Sequence, residues 1–250
     1  MPQNSVDLRT ILTRISQNHA YSVITGPGVV ATAAQVDRAV VEGLVRQLVT
    51  ERLATRTRVG EPTLAVHASA RHMHVSREDL DQLFGPGYEL TFDRPLYQEG
   101  NFAAKETVTL IGPRSRLISN LRILGPLRSR TQVELAFTDA VALGLDVPIR
   151  LSGDLDGTPG AFLMGPHGMV ELKEGVIRAA MHVHMSPQDA AHYRVKQGDL
   201  MKLRVGGDAG ITFERVQVRV GTDFRLDVHL DTDEANACGL HLTKDIELFK

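Results

Sequence analysis

Two histidines spaced two apart occur twice in this chain, at His72 and His74 and again at His182 and His184. The first pair lies in Ala70-Arg71-His72-Met73-His74-Val75-Ser76-Arg77-Glu78-Asp79, the second in Ala180-Met181-His182-Val183-His184-Met185-Ser186-Pro187-Gln188-Asp189. On a β-strand, side chains at i and i+2 leave the same face, so each copy aims two imidazoles at one spot. A second pair of segments can be overlaid, Val133 to Leu145 on Val228 to Leu240, and there Glu134 stands opposite His229. Each half of the chain thus offers a His-x-His pair and a third donor. Three protein ligands with a free fourth position form a catalytic zinc site, whereas structural sites are closed by four.

Strands followed by capped helices must position these donors. Ser76 with Asp79, and Ser186 with Pro187 and Asp189, fit helix N-caps directly after the histidine strands. Further strand-like runs occur at 63–75, 106–111, 117–124, 131–137, 147–151, 175–184, 200–205, 211–220 and 224–230, most of them separated by glycine or proline. That spacing predicts a mainly β fold of two similar units, barrels or sandwiches rather than a parallel α/β sheet. Residues 1–31 read as an amphipathic peptide (Leu8, Ile11, Leu12, Ile15) and a linker, and 32–60 as a helix with Val36, Val40, Leu44 and Leu48 on one face. The glycine- and proline-rich stretch 86–105 reads as a lid. Arginines crowd the next segment (Arg114, Arg116, Arg122, Arg128, Arg130), and Arg128, close before Glu134, is the best placed to hold an anion in a two-point contact.

Composition narrows the classes. A net charge of −2 gives no general affinity for nucleic acid or membranes, and twelve Phe and Tyr without tryptophan make a poor base-stacking surface. The single cysteine, Cys238, excludes an internal disulfide framework and fits a cytoplasmic setting. No apolar run approaches a membrane span and no signal peptide is expected. Asp231-Thr232-Asp233-Glu234 is acidic enough for a cation but reads as a helix cap. His19, His67, His167, His192 and His241 are expected to be ordinary surface or core residues.

The assembled motifs resemble the zinc-dependent phosphotransacylases of the phosphate propanoyltransferase (PduL-type) family. The likeness rests on Ser69-Ala70-Arg71-His72-Met73-His74, Gly100-Asn101-Phe102-Ala103, Leu124-Gly125-Pro126-Leu127-Arg128 with Gln132-Val133-Glu134, His182-Val183-His184-Met185, and His229 to Asn236. Met181 departs from the arginine common at that place in the second motif. The resemblance implies two interleaved β-barrel domains, one from 61–71 with 180–250 and one from 72–152 including the lid 86–105, with 153–179 as a connector. It implies two zinc ions, one on His72, His74 and Glu134, the other on His182, His184 and His229, with Arg128 holding phosphate. The implied reaction converts acyl-CoA (propionyl-CoA or acetyl-CoA) and phosphate to acyl phosphate and CoA, reversibly and without an acyl-enzyme, since no activated nucleophile is visible. Implied too are a dimer or larger homo-oligomer, and location inside a bacterial microcompartment through shell or cargo contacts of residues 5–18. The competing readings are a cupin-like single-metal iron oxygenase or isomerase, and a non-enzymatic scaffold whose metals are structural.

Overall fold

The computed structural model describes residues 62–250. The first histidine run breaks in two, into β1 (Ala65–Ser69) and β2 (His72–His74), followed by helix α1 (Arg77–Phe84). Strands β3 (Phe92–Pro95), β4 (Phe102–Ile111), β5 (Leu117–Gly125) and β6 (Gln132–Glu134) lead to α2 (Phe137–Leu143). Next come β7 (Ile149–Arg150), β8 (Ala161–Met164), β9 (Met169–Leu172), β10 (Val176–Ala179) and β11 (His182–Met185), then α3 (Pro187–Tyr193). The chain closes with β12 (Leu200–Val205), β13 (Ile211–Val220), β14 (Asp227–Asp231), α4 (Thr232–Ala237) and β15 (Ile246–Phe249).

These strands form two sheets, each curled into a half-barrel, so the mainly β expectation holds. One sheet runs β1-β14-β11-β13-β12-β15, the other β7-β10-β6-β2-β5-β4-β8-β9 with β3 on β4. Around the histidine strands the order and sense are the same. β11 lies antiparallel to β14 and parallel to β13, as β2 lies antiparallel to β6 and parallel to β5. β14 pairs in parallel with β1, and β6 in parallel with β10. The strand that precedes each histidine strand therefore joins the other sheet: β1 leaves β2 for β14, and β10 leaves β11 for β6. The chain crosses between sheets at Ala70-Arg71 and Ala180-Met181.

Segment 153–179, expected as a connector, instead carries β8, β9 and β10, all in the larger sheet. β10 lies within the strand-like run 175–184, whereas β8 and β9, of four residues each, are too short for a period-2 pattern to stand out; β3 is exposed along its whole length and so has no buried face to detect. The N-terminal helix and the peptide at 5–18 lie outside the described residues.

Each sheet covers its own apolar core. Met73, Leu110, Leu121, Ile123 and Leu163 fill one, and Val183, Met185, Met201, Leu203 and Val228 the other, all essentially without solvent contact. The apolar residues between the histidines (Met73, Val183) point into these cores, which turns the imidazoles to the opposite face. The Ser76 and Ser186 side chains accept the amides of Asp79 and Asp189, ending each strand in a capped helix as expected.

Candidate active site and metal-binding clusters

Register places the third donors. His72 sits directly opposite Glu134 on antiparallel β2 and β6, and His182 directly opposite His229 on β11 and β14. Opposed residues on one face of such a pair approach to about 5 Å. In both groups, His72–His74–Glu134 and His182–His184–His229, the donor atoms lie within 4.8 Å of one another. His72 Nε2 is 3.4 Å from Glu134 Oε2. The His182 and His229 rings stack 4.9 Å apart, with His184 edge-on to both.

Outward hydrogen bonds orient the rings. His72 Nδ1 bonds the Ala70 carbonyl and His182 Nδ1 the Ala180 carbonyl, each at 2.8 Å, which leaves Nε2 as the free donor in both. His74 Nδ1 and His184 Nδ1 are buried with no hydrogen-bond partner among the described residues. Two buried lone pairs at corresponding places of two nitrogen-rich clusters are what a borderline-soft cation such as zinc would satisfy.

All six donors and Arg128 face one cavity of about 550 Å³ between the two sheets. Burial, reinforced by neighbouring positive charge, holds the imidazoles of His74, His182 and His184 down to about 3, 4 and 2. They are neutral at pH 7, as a ligand must be. Burial alone would raise the Glu134 carboxyl, but His72, His74, His182 and Arg128 together hold it below the ordinary carboxylate range. Gln132 Nε2 donates to Glu134 Oε1 at 2.5 Å and to Ser152 Oγ at 2.8 Å, and Arg128 Nη1 also donates to Ser152 Oγ, at 2.8 Å.

The profile of the phosphate propanoyltransferase family matches residues 65–241, a span that contains both clusters and the cavity. The chain belongs to the phosphate propanoyltransferase family. That is a family of transferases. Relatives bearing the name include proteins of Planctopirus limnophila, 49% identical over 228 residues (87% of this chain, 93% of the relative), and Thermotoga maritima, 52% identical over 182 residues (72% and 86%). A third, from Salmonella typhimurium, is 43% identical over 205 residues (82% and 93%).

Within this phosphate propanoyltransferase fold some residues stand where the sequence did not suggest. His67, set aside as ordinary, lines the cavity, with Nδ1 2.7 Å from Asp227 Oδ1. Arg219 was missed: it sits opposite His184 in register as Arg122 sits near His72, and it faces the cavity half-buried. Among the described residues it has no hydrogen-bond or ion-pair partner, and burial pulls both its guanidinium and that of Arg128 below their ordinary value. The overlay gives no signal for it: Arg122 pairs with His72 where the second half has Gln217 against His182, so the two arginines are not at equivalent positions. Of the arginine run only Arg122 and Arg128 reach the cavity; Arg130 pairs with Asp156 and Glu174, and Arg116 bonds the end of α2. The acidic run caps a helix as expected, Asp231 and Glu234 forming a capping box. Cys238 is buried, and that burial raises its thiol, against a nucleophilic role.

Two clusters, each with its own third donor, leave the single-metal cupin-like reading without support.

Proposed function

We propose that this chain interconverts acyl-CoA and phosphate with acyl phosphate and CoA, propionyl-CoA or acetyl-CoA serving as acyl donor. One zinc ion would be held by His72, His74 and Glu134 and a second by His182, His184 and His229. The observation that carries this reading is the convergence of both donor clusters and Arg128 on one cavity. Zinc with a free coordination position stabilises thiolate and phosphate oxygens as Lewis-acid partners.

The protein's own groups then have clear tasks. Arg128 is tethered through one Nη1 bond to Ser152, so the rest of its planar fork can take two phosphate oxygens. Arg219, unpaired and desolvated on the opposite sheet, gives the same anion a second cationic wall. Between them a phosphate oxygen can stand against the thioester carbonyl: the C–O bond forms, the C–S bond breaks, and the CoA sulfur leaves as thiolate. Fixing both reactants removes much of the entropy cost of their encounter. Segment 94–101 roofs the cavity. The buried Gln98 pins it to the other sheet, donating to the Arg225 carbonyl and accepting its amide, both at 3.1 Å. A roof held down in this way keeps water from competing with phosphate.

Assembly as a dimer or larger homo-oligomer, and targeting to a microcompartment by residues 5–18, belong to the same proposal. The amphipathic spacing of residues 5–18 and the family resemblance support the targeting; the resemblance alone supports the assembly. Among the described residues no helix is long and apolar enough to cross a membrane. The deciding assay is release of CoA thiol from propionyl-CoA and phosphate. We expect turnover as isolated, its loss on chelation, and recovery with zinc; turnover untouched by complete removal of metal would end the zinc-dependent reading.

A further inference from the structure

Asp227 is completely buried, yet it lies outside both donor clusters. Its Oδ1 accepts from His67 Nδ1. Its Oδ2 stands 2.9 Å from His229 Nε2, but the two are too poorly aligned to hydrogen-bond. Among the described residues both atoms are therefore buried without a hydrogen-bond partner. A carboxylate left in that state in a protein interior is unfavourable unless a positive charge lies close by.

The corresponding place in the first cluster, two residues before Glu134 on the same strand face, is Gln132. Gln132 is neutral and donates to Glu134. β6 carries one carboxylate on the cavity face and β14 two, but Asp231 is paired with Arg178 and caps α4, so the carboxylate left for the donor stands at an exchanged position. On β6 it stands at the donor position, with a neutral amide two residues earlier. On β14 the donor is a neutral imidazole, and the carboxylate comes two residues earlier.

We infer that Asp227 is the charge-balancing residue of the His182, His184 and His229 centre, an inference that rests on the metal reading above. It supplies beside His229 the negative charge that Glu134 supplies directly in the other centre. A carboxylate this close to a ligating imidazole offsets the charge of the ion and strengthens its binding. The consequence is chemical: the two centres are closer in net charge than donor sets of two imidazoles and a carboxylate against three imidazoles suggest. The second centre is then not an exceptionally electron-poor anion trap, and phosphate must be held as much by the Arg128 and Arg219 pair as by that centre. Ser69 Oγ lies 3.1 Å from His229 Nδ1, so Ser69, His229 and Asp227 also make a serine–histidine–aspartate line. The misaligned Asp227 contact disfavours that line as a nucleophilic triad.

Zinc affinity of the second centre can be read alone in a Glu134→Ala background by competition with a chromophoric chelator. Adding Asp227→Asn, which keeps the shape and removes the charge, should weaken zinc binding about 10- to 100-fold. The metal-stripped protein should keep its circular dichroism spectrum, and Asp227→Glu, which restores the charge, should recover zinc affinity, which a merely structural role would not allow. His67→Ala, which removes the neighbour and keeps the charge, should leave the affinity unchanged. If the double variant fails to fold, zinc counted in Asp227→Asn alone should fall toward one ion per chain under a competing chelator. Unchanged affinity overturns this inference by itself. A wild-type chain that takes up no zinc overturns the metal reading and this inference with it. An acyl group found on Ser69 by mass spectrometry after incubation with propionyl-CoA also overturns it, in favour of the triad.

Discussion

An imidazole can ligate a metal only through an unprotonated nitrogen, and burial keeps three of the candidate donors in that form. His74, His182 and His184 remain neutral far below their ordinary titration range, so near neutrality no proton competes for these three nitrogen donors. Three of the six are also held by a neighbour of a definite kind: backbone carbonyls behind His72 and His182, the Gln132 amide beside Glu134. Replacing His72 by Ala, or Glu134 by Gln, should lower acyl phosphate formation on the order of a hundredfold or more and remove one zinc per chain, with the circular dichroism spectrum retained. Full activity in either would take that residue out of the scheme. Arg128→Lys keeps the charge and loses the planar fork. We expect a rise of roughly tenfold in KM for phosphate with a smaller change for the acyl-CoA, measured by initial rates at varied phosphate.

At the scale of the element, the histidine strands work because each ends in a stiff corner. Ser186 caps α3 and fixes where β11 stops, so Ser186→Ala should cost about 1 kcal/mol in urea unfolding. The two corners differ in one bond. Arg71 pairs with Asp139 of α2, while Met181, at the corresponding position, packs on the second core. There Arg178 reaches α4 instead, bonding Asp231 at 2.7 Å and Glu234 at 2.8 Å. The glycine of the Leu124-Gly125-Pro126 segment has a steric reason, since a Cβ at Gly125 would lie 2.2 Å from the Phe102 ring. The roof segment is held mainly at Gln98. Its replacement by Ala should raise the KM for acyl-CoA and let thioester hydrolysis appear without phosphate, followed as thiol release; the absence of both would show that Gln98 does not govern closure.

At the scale of the whole molecule, the buried donors tie stability to pH. In the unfolded chain a histidine takes up a proton near 6.5, whereas folded His74, His182 and His184 do so only at about 3, 4 and 2. Between those values the folded state binds fewer protons than the unfolded one. Metal-stripped protein should therefore lose stability as pH falls below about 6.5, by up to about 1.4 kcal/mol per pH unit for each such histidine. Asp227 and Glu134, whose carboxyls are held low against their burial, act in the same direction below about pH 4. Urea unfolding at pH 7.5 and 5.5 measures this, and greater stability at the lower pH would contradict it.

Donor chemistry is a local property, and the sequence by itself determined it. Spacing of two on a strand fixes a shared face, the serines after each pair end the strand, and the overlay of Glu134 on His229 finds the third donors. Local patterns also foretold a mainly β chain. What tertiary structure decided is everything that depends on which sheet a strand joins. Local pattern in β1 and β10 does not reveal that each abandons the strand beside it for the opposite sheet, because parallel pairing between distant segments leaves no short-range signature; for β1 only the family resemblance, which set 61–71 with 180–250, implied it. That exchange brings His67 and Ser69 beside His229 and Arg178 against α4. Arg219 and Asp227 carry no motif of their own, and only the register that sets them beside His184 and His229 gives them a place in the site.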